Sequence, residues 1–200
     1  GSYIAGVYYP DKTKVGWWKN GYPEYFAKVL NAPNWIGIDI QINGENLDLN
    51  TIEIKNFHRE LNMKEGWLGR NFQAKLQNGI EVEVNVKRFL SLDLDELGAI
   101  KYEIKPLHQS AKISFQPYVD SGVENDFGFV QAKTFKTGFN VVTYMKNAVF
   151  IEDKKQDIIP NSDVSISKAQ LKYKINLEQN QTASIVKFGG YTVSNNHDES

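Results

Sequence analysis

Acidic side chains form the densest cluster of reactive groups in this 200-residue chain. Asp93, Asp95 and Glu96 fall within one short segment. Paired carboxylates can share general acid and base work, and carboxylates with a histidine can hold a metal. Gly98 follows them, and no histidine stands beside them in the sequence, so the segment reads as a solvated turn between strands. His58, within His58-Arg59-Glu60, would need an orienting partner to act as a base, and reads as a structural residue of a strand. His108 follows Pro106-Leu107 in a turn, and His197 sits in a polar tail. The chain has no Gly-rich phosphate loop, no His-Glu-x-x-His and no Gly-x-Ser-x-Gly. Asn180-Gln181-Thr182 matches a glycosylation acceptor by pattern alone. With no cysteine, thiolate catalysis, disulfides and Cys-based metal sites are excluded.

The aromatic residues offer a different chemistry. Tyr8, Tyr9, Trp17, Trp18, Tyr22, Tyr25, Phe26 and Trp35 crowd the first thirty-five positions. Flat rings stack on the apolar C–H faces of sugars, so Trp17 and Trp18, with Tyr22, Tyr25 and Trp35, are candidates for carbohydrate contact. The same rings can instead be buried in the core or against another domain or subunit. Neighbours in a strand point to opposite faces, so one of Trp17 and Trp18 is expected to be buried on either reading. Lys12, Lys14 and Lys19 nearby read as a solvated loop, because a formal net charge of −1 gives no general attraction to nucleic acid or anionic lipid.

Strands must position these groups. Over residues 67–107, Leu68, Arg70, Phe72, Ala74 and Leu76 share one parity, and Ile80, Val82, Val84 and Val86 continue it past Asn78-Gly79. Ile100, Tyr102 and Ile104 follow the acidic turn. A period of two means one buried and one wet face, hence antiparallel sheet. Asn78-Gly79 predicts a tight hairpin, because both residues tolerate positive φ. Further strands are expected at residues 36–42, 52–63, 111–115, 129–134, 139–145, 148–151, 171–177 and 182–188, and a mixed strand at the start. Pro10-Asp11-Lys12, Asn20-Gly21 and Asn43-Gly44 read as turns, and 153–162 as a polar, turn-rich stretch. Pro23 to Leu30 predicts a short helix, with Phe26, Val29 and Leu30 on one face. The fold class is mainly β: a large antiparallel β-sandwich (super-sandwich) of about a dozen strands with at most one or two short helices. The hydrophobic fraction, 41%, supports an ordinary core, and no apolar run is long enough to span a membrane.

Several segments carry a family resemblance. They are Gly-Ser-Tyr-Ile-Ala-Gly-Val-Tyr (1–8), Trp-Trp-Lys-Asn-Gly-Tyr-Pro-Glu-Tyr (17–25), Asn-Ala-Pro-Asn-Trp (31–35), Arg-Phe-Leu-Ser-Leu (88–92) and Phe-Gly-Gly-Tyr-Thr (188–192). In order and spacing they resemble the N-terminal domain of glycoside hydrolase family 65, the maltose, trehalose and kojibiose phosphorylases, with the maltose type nearest. The resemblance implies a sandwich over 1–193 and a linker at 194–200 leading to an (α/α)6 catalytic barrel. It implies a parent enzyme in which a Glu of that barrel protonates the glycosidic oxygen while inorganic phosphate, a co-substrate, attacks the anomeric carbon with inversion. No barrel of amphipathic helices is present in the sequence, so no catalytic residue is carried over and the domain alone is expected to be inactive. No metal and no organic cofactor are implied. The implied partners are the barrel, an α-glucoside and a second copy in a homodimer, with no nucleic acid or membrane, in the cytoplasm. The alternative is an independent carbohydrate-binding module with Trp17 and Trp18 as its platform. The family's domain is expected to begin before Tyr3, and residues 120–128 are shorter than its acidic, Trp-containing insertion.

Overall fold

The computed structural model describes residues 2–14, 21–120, 125–126, 129–165 and 168–197. They form sixteen strands and, among the described residues, no helix. The small sheet takes β3 (Ile38–Ile42), β4 (Glu45–Asn46), β9 (Ala111–Asp120), β14 (Asn161–Ser165) and β15 (Lys168–Leu177), in the order β14-β15-β9-β3-β4. The nine-stranded sheet uses β5 (Glu53–Asn62), β6 (Trp67–Lys75), β7 (Glu81–Leu90), β8 (Leu97–Pro106), β10 (Asn125–Asp126), β11 (Phe129–Lys133), β12 (Asn140–Ile151), β13 (Lys154–Gln156) and β16 (Ala183–Val193). Its order is β10-β11-β12-β16-β8-β7-β6-β5, with β13 beside β12. A separate ribbon pairs β1 (Ser2–Lys12) with β2 (Tyr25–Ala32).

The alternation along β6, β7 and β8 produces the core. Phe72, Val82, Val84 and Ile104 leave the large sheet and meet Ile42, Ile113, Phe115 and Ile175 of the small one, all buried. At roughly 25 cal/mol per Å² of apolar surface removed from water, this interface dominates the stabilisation of the fold. Lys187 lies on the same inner face, opposite Ile100, and is fully buried. Its Nζ donates to the carbonyls of Gly37, at 2.8 Å, and Tyr118, at 2.5 Å, and so ties β16 to the small sheet.

The expected helix over 23–30 is instead strand β2. β1 offers it a full antiparallel edge from Lys12↔Tyr25 to Ser2↔Ala32, and its aromatic and β-branched residues suit a pleated surface. Thr13 closes the ribbon: its amide donates to Glu24 O at 2.8 Å, and its hydroxyl bonds the Pro23 carbonyl. Pro10, Asp11 and Lys12 are strand residues and not a turn. Gly6, at φ 78°, accommodates the register shift between Tyr3 and Tyr8. A small second core of Val7, Val141 and Val193 fastens the ribbon to the large sheet.

Two other expectations change. The two expected strands over 139–145 and 148–151 are one strand, Asn140–Ile151, because β12 pairs with β16 without interruption from Val141 to Ile151. The stretch 153–162 contains β13 and the start of β14, and Glu152 and Asp153, both at positive φ, make the β12–β13 hairpin. At Asn78-Gly79 only the glycine takes positive φ. Asn78 works through its side chain, accepting from Ile80 N at 3.1 Å and donating to Ile42 O at 3.2 Å. Asn43-Gly44, by contrast, has both residues at positive φ, as its two-residue hairpin requires.

Candidate functional site

A groove of about 870 Å³ opens at the end of the large sheet where β6 starts and β7 finishes. The β5–β6 hairpin, the β7–β8 loop, the first residues of β1 and the end of β16 all reach it. Its walls are apolar and exposed. Leu92 is 97% exposed, and Tyr3, Leu61, Phe89 and Leu90 also face solvent. Single exposed apolar residues need no explanation, but a contiguous set does.

Trp35 forms the floor. It is buried and lies across Gly98 and Gly189, which face each other on β8 and β16. A Cβ on Gly98 would stand 2.4 Å from the indole, and one on Gly189 would stand 2.9 Å from it. At Gly190 a Cβ would strike the Glu96 carbonyl at 1.6 Å. That carbonyl accepts from the Tyr144 hydroxyl at 2.9 Å, while the Tyr191 hydroxyl donates to Pro33 O at 2.6 Å. Asn34 Oδ1 accepts from Ile36 N at 3.0 Å. The Asn-Ala-Pro-Asn-Trp and Phe-Gly-Gly-Tyr-Thr segments are therefore one interlocking unit: the glycines clear a slot, Trp35 fills it, and the flanking polar groups fix its approach.

The polar rim is acidic. Trp67 Nε1 donates to Glu65 Oε2 at 2.5 Å, and Lys87 Nζ lies 4.2 Å from the centre of the Trp67 ring. Glu96 Oε1 stands 2.9 Å from His197 Nε2. The acidic turn thus has a histidine partner, which tertiary folding brings from 101 positions away. Among the described residues no group of three His, Asp or Glu side chains is arranged to hold a metal. His58 pairs with Glu60 at 3.7 Å and His108 with Glu81 at 3.6 Å, both exposed and away from the groove. Burial raises the Tyr144 and Tyr191 hydroxyls above the ordinary tyrosine value, and so keeps them protonated donors.

Of the aromatic candidates, Trp17 and Trp18 lie outside the described residues. Tyr22 and Tyr25 are exposed beside the ribbon, with Lys12 Nζ 6.0 Å from the Tyr25 ring centre. Of the described candidates, only Trp35 joins the groove. The sequence reading missed Trp67, Phe89, Leu90 and Leu92 as a surface. Arg-Phe-Leu-Ser-Leu held the available signal, since three large apolar residues at 89, 90 and 92 break the alternation of β7.

The geometry defines an antiparallel β-sandwich with an exposed apolar groove. The profile described as "Glycosyl hydrolase family 65, N-terminal domain" matches residues 1–200, and the chain belongs to that family as its N-terminal domain. It is 52% identical to maltose phosphorylase of Bacillus subtilis (strain 168) over 126 residues, 63% of this chain and 16% of that protein. It is 27% identical to alpha,alpha-trehalose phosphorylase of Thermoanaerobacter brockii over 232 aligned residues, covering all of this chain and 29% of that protein. A solved putative kojibiose phosphorylase from human microbiome shares the fold, with a TM-score of 0.79 at 20% identity, over all of this chain and 27% of its own. The chain therefore spans less than a third of the length of these relatives.

Proposed function

We propose that this domain is a non-catalytic support for the catalytic barrel of a maltose-type α-glucoside phosphorylase, and that the groove is where the two dock. One observation carries the docking. The last strand ends in the groove, with Val193, Asn196 and His197 among its lining, so chain running on from an N-terminal domain emerges beside uncovered Leu90 and Leu92. The 52% identity to a maltose phosphorylase supports the substrate class, and inorganic phosphate is then the co-substrate of the whole enzyme. A cytoplasmic location and subunit contacts in a homodimer belong to the same proposal.

The test is amide hydrogen exchange on this chain alone and within the complete protein. Docking slows exchange at residues 88–98 and 61–67 in the complete protein, and Leu92→Asp reverses it. Unchanged exchange at both segments removes the docking. The second reading, a carbohydrate-binding module, draws on the exposure of Tyr22 and Tyr25. Tryptophan fluorescence during titration with maltose, trehalose, kojibiose and glucose, with and without phosphate, separates the two. A saturable change favours the module, and a flat response favours the support.

A further inference from the structure

All three arginines of the chain, Arg59, Arg70 and Arg88, line one pocket of about 330 Å³ on the inner side of the large sheet. Arg59 and Arg70 are directly opposed on β5 and β6, and Arg88 stands on β7 opposite Leu68, one residue pair along the same face. Like charges in such cross-strand positions repel. Among the described residues no carboxylate lies within ion-pair distance of any of them, and no Asp or Glu lines the pocket. Burial and the charges of Arg59 and Arg70 together lower the Arg88 pKa, so each guanidinium is felt by the next. The other walls are Ile36, Ile38, Phe57, Leu68, Val86 and Ile100, with Tyr102 on β8, the strand between β7 and β16. Twenty-three basic and twenty-four acidic residues are otherwise mixed over the molecule, so three converging cations without a carboxylate are a local excess.

A backbone feature produces this convergence. β5 shifts register between Lys55 and His58, and Asn56 sits there at φ 54°. Two residues on β5 oppose one on β6, so the parity of β5 inverts. Ile54 faces inward before the shift, opposite Ala74, and Arg59 faces inward after it, opposite Arg70. Phe57 is turned onto Phe72, with ring centroids 6.0 Å apart.

We infer that the Arg59–Arg70–Arg88 pocket binds a small phosphate-type oxyanion, free or carried as a phosphomonoester. Guanidinium forks match the geometry of such oxygens, and a dianion with several acceptor oxygens can engage more than one fork where a single carboxylate cannot. The volume is at the lower end for ligand sites, and the isoleucine and Phe57 walls suit a compact organic body. The pocket is independent of the docking proposal, although Arg88, Leu68 and Ile36 line both cavities.

The test is calorimetric titration of the full chain at low ionic strength with inorganic phosphate and, separately, with glycerol 3-phosphate. Saturable binding is expected, weakened by about tenfold or more in Arg88→Met and in Arg59→Met, as loss of a charge-assisted contact implies. Lys174→Met, a change on the distant strand β15, leaves it unaltered. Equal affinity for the two ligands assigns the site to the free ion, and tighter binding of the ester brings in the apolar walls. Thermal unfolding of each variant accompanies the titration. Arg59 is exposed on the edge strand, so its variant keeps the fold. Absence of saturation with both ligands at tens of millimolar (about the weak limit of useful affinity), or affinity unchanged in Arg59→Met, overturns the inference. So does an Arg59→Met variant that binds no phosphate differently but loosens the complete protein, which would assign the pocket to a carboxylate of another domain. Phosphate binding that survives in Leu92→Asp while docking is lost separates this inference from the docking proposal.

Discussion

Trp35 shows how a single side chain organises the strands around it. Its ring occupies the space that two facing glycines leave open, and neither glycine sits at positive φ, so the requirement is clearance and not backbone freedom. Trp35→Ala empties a buried indole site and is expected to cost about 3–5 kcal/mol, read as a lower urea midpoint. Gly189→Ala forces a methyl against Tyr144 O at 2.8 Å and the indole at 2.9 Å, and should cost about 1–3 kcal/mol. Its double variant with Trp35→Ala should cost less than the sum, because the methyl then finds room. Full additivity in that cycle would show that the ring and the glycine are not coupled.

At the scale of elements, the bulge in β5 matters most. Asn tolerates the left-handed region better than a residue with no local hydrogen-bonding side chain, and Asn56 Nδ2 also donates to Gln73 Oε1 at 3.2 Å. Asn56→Gly should be near neutral and Asn56→Ala should cost about 1 kcal/mol. Deleting Asn56 removes the extra residue, sets Phe57 alone opposite Phe72 and leaves His58 opposite Asn71 and Arg59 opposite Arg70, so phosphate-type binding should survive while β6 to β8 remain folded. Native-state exchange of the Val82, Val84 and Ile104 amides checks the last point. Ribbon strand β2 illustrates the competing forces on a short segment. Helical spacing of Phe26, Val29 and Leu30 was legible, but pairing with β1 satisfied the backbone of both strands at once.

For the whole molecule, Lys187 joins the two sheets and couples stability to pH. Burial pushes its ammonium down to about 7, against an opposing pull from Asp39 and a further push from Lys168. Above that value the unfolded chain binds more protons than the folded one, so stability rises with pH from about 7 toward the ordinary lysine value of 10.5. Tyr102 has the opposite sign. Burial raises it to about 12, so stability present below pH 10 is lost as the unfolded tyrosine ionises between 10 and 12. The midpoint of urea unfolding should therefore climb above neutrality and fall again beyond pH 10. Lys187→Met should remove the climb and leave the fall; a climb of equal slope in that variant would place its origin elsewhere. The groove belongs to this scale too. Leu92→Asp should change the stability of this chain by less than about 0.5 kcal/mol, as the site is almost fully exposed, while weakening the proposed docking.

Alternation alone made β6, β7, β8 and β15 readable, because a strand buried on one face must repeat every two residues. It also placed Arg70 on the apolar parity beside Phe72 and Ala74, an early sign of the pocket. Family segments were legible as well, but their task was not: Trp35, Gly98 and Gly189 are far apart in sequence, and only strand pairing sets the glycines opposite one another under the ring. Arg59 was unreadable for a related reason. A single left-handed residue inverts the parity that follows it, and periodicity carries no mark of where that happens. The partnering of Glu96 with His197 came from the same source, since the chain returns along β16 to the loop it left before β8. The sequence by itself determined the class of fold, its alternating core and its family. The tertiary structure decided which residues share a pocket, because register, bulges and the return path of the chain set proximity, and none of these is a local property.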